Sequence, residues 1–100
     1  MSLGQSQRKF TLMIAHLIAW IYEQGYELTL GDAYATTGHM KDSLHYSRLA
    51  IDLNLFKAGV YLTTTDDHRL IGEKWESMGG TWGGRFKDGN HYSLAYGGRK

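Results

Sequence analysis

Phe10, Met13, Ile14, Leu17, Ile18 and Ile21 recur every three or four residues, the spacing of one face of an α-helix, and Gly25 follows as a C-terminal cap. The pattern predicts a helix over 7–24. Leu12, Ala15, Ala19 and Tyr22 widen the apolar surface, so this helix is expected to be covered on more than one side, with His16 and Trp20 off the main stripe. The period then shortens. Glu27 to Tyr34 reads as a strand with Leu28 and Leu30 inward, and residues 35–44 show no sustained period and read as a loop. Ala50–Phe56 and Val60–Thr64 are two β-rich runs that Lys57-Ala58-Gly59 joins as an antiparallel hairpin, with Gly59 in the left-handed position.

Thr64 or Thr65 can cap a second helix whose first turn places Asp66 and Asp67 at the positive end of the helix dipole. Leu70, Ile71, Trp75 and Met78 give its inner face, and Gly79-Gly80 stops it. The remaining chain mixes glycine with aromatic residues, turns at Asp88-Gly89-Asn90 and closes with a strand over His91–Tyr96. These elements predict a single α+β domain over 1–100, in which a small antiparallel sheet carries a long N-terminal helix and a second helix. Residues 1–6 and 97–100 are expected to fray.

One position breaks the apolar logic. Ile51, Leu53 and Leu55 alternate with Asp52 and Asn54, and an ionised carboxylate among Ala50, Leu53 and Phe56 is costly unless it is paired or holds a metal. Composition narrows what that metal site can be. There is no cysteine, so thiolate ligands and cysteine nucleophiles are excluded, and five histidines at 16, 39, 45, 68 and 91 remain as partners for the carboxylates. The net charge of +1 gives no bulk attraction to nucleic acid. The apolar run Phe10–Tyr22 is shorter than the roughly 20 residues that span a bilayer, so membrane insertion is not expected.

His45, Asp52 and His91 together supply two imidazoles and one carboxylate, the ligand chemistry of a zinc hydrolase. The step from His45 to Asp52 puts the two on opposite faces of a regular strand, which requires a loop or bulge around Tyr46–Leu49. Asp88, across a turn from His91, is placed to face water at the metal. His39 is a rival ligand that reads better as a cleft-wall residue. His68, in the first turn of the second helix, reads as a surface residue, and Trp75 and Trp82 as core or cleft-lining aromatics.

Ser43-x-His45-x6-Asp52, followed by the aromatic and glycine-rich segment and then Asp88-x-x-His91, resembles peptidase family M15 over roughly residues 26–94. This family holds D-Ala-D-Ala carboxypeptidases and dipeptidases and the phage L-alanyl-D-glutamate endopeptidases. The Asp at 88 is most similar to the endopeptidase branch. The resemblance implies a hedgehog/DD-peptidase-like fold with a zinc cleft on the sheet. It implies Zn²⁺ on His45, Asp52 and His91, with Asp88 as catalytic base and Ser43 touching substrate. Two positions depart from the family pattern: Arg48 stands where Gly is usual, and Ala35 where an Arg follows the first strand. Arg48 could replace that Arg as a substrate-binding group.

The expected function is therefore that of a zinc-dependent phage lysin that cleaves peptidoglycan stem peptides between L-Ala and D-Glu. Its partner is the stem peptide, with no nucleic acid, and it is expected to act as a monomer. No secretory leader is read, so it would be made in the host cytoplasm and reach the cell wall after release. The alternatives are a D-Ala-D-Ala carboxypeptidase or dipeptidase, and a non-catalytic zinc-binding module on the same fold.

Overall fold

The computed structural model describes residues 1–100. Helix α1 (Leu3–Glu23) begins earlier than its apolar period. Ser2 caps it, accepting from the Gln5 N–H at 3.1 Å while the Gln5 side chain accepts from the Ser2 N–H at 2.9 Å, a reciprocal capping box that recruits residues 3–6 into the first turn. Phe10, Met13, Ile14, Leu17 and Ile21 are buried as the stripe predicts. The second face is not covered: Leu12 is 60% exposed, and Tyr22, Ala15 and Ala19 are also open to solvent. The sheet and α2 cover one side of α1 only, so its broad apolar surface exceeds what the fold buries.

Strands β1 (Glu27–Leu30), β2 (Ala50–Lys57), β3 (Val60–Leu62), β4 (Thr81–Trp82) and β5 (His91–Ser93) form an antiparallel sheet in the order β1-β2-β5-β4, with β3 also paired to β2. Helix α2 (Arg69–Ser77) follows a 3-10 turn at Asp66–His68. β2 is the axis of the sheet. Its inward residues Ile51, Leu53 and Leu55 are buried and its other face carries Asp52 and Asn54. The β2–β3 hairpin pairs Lys57 with Val60, leaving a two-residue turn in which both Ala58 (φ 51°) and Gly59 (φ 78°) are left-handed. That geometry matches the right-handed twist of the strands.

β1 ends at Leu30, where the pairing with β2 slips by one residue, the Asp52 carbonyl accepting from the Gly31 N–H while the Asp52 N–H donates to the Asp32 carbonyl, and Leu30 is 64% exposed rather than inward. On α2, Ile71, Gly72 and Trp75 face the core while Leu70 is exposed, one step off the expected stripe. Thr64 does supply the cap, and its hydroxyl accepts from the Asp67 N–H while the Asp67 carboxylate accepts from the Thr64 N–H, both at 3.1 Å. Those bonds hold the Asp67 pKa below the usual carboxylate range.

Two tryptophans tie the C-terminal half together. Trp75 is fully buried, edge-on to Phe10, and its Nε1–H is shared between the Thr81 and Ser93 carbonyls at 3.1 and 2.9 Å. Trp82 is equally buried, and its Nε1–H donates to the Gly89 carbonyl at 2.8 Å, which fixes the turn before β5. No helix is long and apolar enough to cross a membrane.

Candidate metal centre

The ladder fixes Asp52 first. Its carbonyl accepts from the Gly31 N–H at 2.8 Å and its N–H donates to the Asp32 carbonyl at 2.9 Å, so the main chain is held while the side chain stands on the face away from the core. The β2–β5 register sets His91 directly opposite Asp52, as a cross-strand pair on that face. His45 arrives from outside the strand, on a 3-10 turn over Leu44–Ser47. The Ser43 hydroxyl caps this turn by accepting from the His45 N–H at 3.2 Å. Arg48 ends it in the left-handed region at φ 55°. This turn is the interruption that the step from His45 to Asp52 demands.

The side chains then converge. His45 Nε2 lies 3.1 Å from Asp52 Oδ1, and His91 Nδ1 lies 3.8 Å from the same oxygen. His91 Nδ1 is also 3.8 Å from Asp88 Oδ2. Both imidazoles are buried, with their rings 5.1 Å apart and edge to face. Burial holds the His91 pKa below the usual histidine value, against an opposing pull from Asp88, so its ring is kept neutral with a lone pair to give.

The donor set suits zinc. Tetrahedral ligands on bonds of about 2.0–2.1 Å lie about 3.3–3.4 Å apart, and the two separations at Asp52 Oδ1 bracket that spacing. The outer nitrogens, His45 Nδ1 and His91 Nε2, are buried without a partner, so each ring directs its only polar contact inward. Ring orientation rests on packing instead of on outer hydrogen bonds.

His39 supplies part of that packing. Its ring stacks on His45 at 4.0 Å and 18°. Its Nε2 meets Asp32 Oδ2 at 3.0 Å, and Tyr46 clamps its backbone by accepting from the N–H and donating to the carbonyl. The ligand atoms of His39, His45 and Asp52 all fall within 4.8 Å of one another, so His39 can hold a metal as well as wall the cleft. Asp32 and Tyr46 were not singled out by the sequence. Their part depends on a strand register and a loop path that no local period reports.

A cavity of about 330 Å³ opens onto these groups, lined by His39, Ser43, His45, Phe86, Asp88 and His91 among others. Gly83 packs directly behind two of the lining residues, Asp88 and His91. A Cβ there would sit 2.3 Å from the Asp88 carbonyl and 2.7 Å from His91 Cβ. Arg48 does not line the cavity: it lies outside, with its guanidinium over the Tyr34 ring at 3.9 Å.

A family model described as D-alanyl-D-alanine carboxypeptidase, from the M15 peptidases, matches residues 37–94, the span that holds Ser43, His45, Asp52, Asp88 and His91. The chain belongs to the peptidase M15 family. No curated protein matches it. M15 membership, together with a cluster that could hold a metal, supports a zinc peptidase acting on peptidoglycan-type substrates. It also gives the two departures a structural meaning. Arg48 occupies a left-handed position, which explains why M15 sequences favour Gly there. Ala35 donates its N–H to the His45 carbonyl at 3.3 Å, so the position of the missing Arg abuts the His45 turn.

Proposed function

We propose that this chain is a phage lysin that cuts peptidoglycan stem peptides between L-Ala and D-Glu, with His45, Asp52 and His91 holding Zn²⁺. The observation that carries the reading is the convergence of two buried imidazoles on one oxygen of Asp52, with the Asp88 carboxylate 3.8 Å from His91 at the cavity wall. When bound, zinc supplies Lewis acidity that polarises the scissile carbonyl and activates water near neutral pH.

The chain's own residues do the rest. Asp88, exposed to the cavity, takes the proton of the attacking water and returns it to the leaving amine, a role that contributes about 10²–10⁴ in rate. His45 and His91 offer ring nitrogens toward the Asp52 carboxylate, and Ser43 holds the His45 turn in place while bordering the substrate space. A second reading, D-Ala-D-Ala carboxypeptidase activity, is favoured by the description of the matching family model. A third, a binding module that keeps the ligands without turnover, is favoured by Ala35.

Purified walls digested by the zinc-loaded protein separate the three. New N-terminal glutamate marks the endopeptidase, and free D-alanine marks the carboxypeptidase. Release of neither product by a protein that carries stoichiometric zinc leaves only the binding module. Asp88→Asn is expected to lower the rate about 10²–10⁴-fold while retaining zinc; full activity in that variant would remove Asp88 from the mechanism.

A further inference from the structure

A second cavity, of about 230 Å³, adjoins the first. Thr63, Thr64, His68, Lys87 and Asn90 line it, and Asp88 lines both, so the two cavities meet at the proposed base. Its polar groups are mostly unspent hydrogen-bond donors. The Lys87 ammonium lies in no ion pair, whereas Arg69 and Arg85 are both engaged with carboxylates. The Thr64 hydroxyl accepts from Asp67 and keeps its own proton to donate.

His68 is the unusual member, because it is only 3% exposed and still borders the cavity. Its Nδ1 lies 2.7 Å from the Tyr92 hydroxyl, its only side-chain partner. That hydroxyl has no other acceptor, so it donates to Nδ1. The ring is held neutral by burial, which leaves the remaining proton on Nε2. His68 Nε2 makes no protein hydrogen bond, yet only His45 Nδ1 and His91 Nε2 are unpartnered and sealed from solvent. His68 therefore turns an N–H donor toward open space on the side of this cavity.

A site with an ammonium, a hydroxyl, an amide and a buried imidazole N–H suits an anionic oxygen ligand. We infer that this second cavity is a carboxylate-binding subsite that grips a free carboxylate of the peptide substrate beside the cleavage point. The inference rests on the peptidase reading above, and it gives the cleft a cationic anchor in Lys87 on the opposite flank of Asp88 from His45. The anchor also offsets the repulsion that Asp88 exerts on an anionic ligand.

Two stem-peptide analogues test it, each with a ketomethylene group in place of the scissile amide so that binding is read without turnover. One keeps the α-carboxylate of D-glutamate and the other carries its primary amide. With the zinc-loaded protein the acid is expected to bind at least about tenfold more tightly, the loss typical of one charge-assisted hydrogen bond. It should shift the Thr64 and Asn90 amide resonances. Lys87→Met, an exposed change, should collapse the preference to about twofold. His68→Gln, which retains a side-chain N–H, should preserve more of the preference than His68→Phe. Equal affinity for acid and amide in the unaltered protein overturns the subsite, as does an acid that perturbs only the His39 and Ser43 side. Acid preference at Thr64 and Asn90 without cleavage of whole walls supports the subsite and sinks the peptidase reading alone.

Discussion

His45 and His68 are both almost wholly buried, at 1% and 3% exposure, and both ride on short 3-10 turns, Leu44–Ser47 and Asp66–His68. Their partners separate them. His45 faces a carboxylate that a second imidazole also approaches, whereas His68 faces the neutral hydroxyl of Tyr92. Burial therefore does not make a ligand. The neighbouring oxygen decides whether a buried ring joins a cluster able to hold a cation or pairs with a neutral hydroxyl. The exits of the two turns differ too: Arg48 leaves in the left-handed region at φ 55°, while Arg69 at φ −58° runs straight into α2.

The comparison breaks most sharply at the ligands. His45→Ala is expected to abolish stoichiometric zinc and all peptidase activity, measured by elemental analysis and wall digestion. His68→Phe should retain stoichiometric zinc and lose activity only in part, through weaker binding of the substrate carboxylate. Zinc retained by the first variant, or lost by the second, would collapse the distinction between the two histidines.

A smaller effect separates them in stability. His68→Phe strands the buried Tyr92 hydroxyl and should cost about 1–3 kcal/mol in urea denaturation. Because burial lowers the folded-state pKa of His68, the unfolded chain takes up a proton first as pH falls through about 6.5. Stability is then lost down to the lower folded pKa, at no more than about 1.4 kcal/mol per pH unit for this group. His91 acts in the same direction in metal-free protein, and the His68→Phe variant should show only that share.

The least effect lies at the turn exit. Arg48→Gly relieves a left-handed residue at the loss of a guanidinium stacked on Tyr34, and should raise stability by no more than about 1 kcal/mol. A drop in the thermal midpoint would mean that the Tyr34 stack outweighs the backbone strain.

Much of the fold was legible in residue order. The α1 stripe, the hairpin at Ala58-Gly59, the Thr64 cap and the need for a break between His45 and Asp52 each come from a local rule that the folded chain obeys. What escaped is what depends on a partner distant in sequence. His68 reads as surface because its neighbours Asp66, Asp67 and Arg69 are charged, and only the packing of Tyr92 from β5 explains its burial. Leu30 and Leu12 read as inward because the apolar period marks a face without saying whether another layer covers it. His39 gave one local signal, a histidine after Gly38, but its contact with His45 depends on Tyr46 holding the loop back.

Gly83 carries a consequence for how such a site can change over time. Every other amino acid begins with a Cβ, and at this position that first carbon collides with main chain at Asp88 and with the root of His91. Stepwise substitution therefore finds no tolerated intermediate at 83. The spacing between the acid and the ligand is inherited intact, and diversification of the cleft is confined to the walls that surround it.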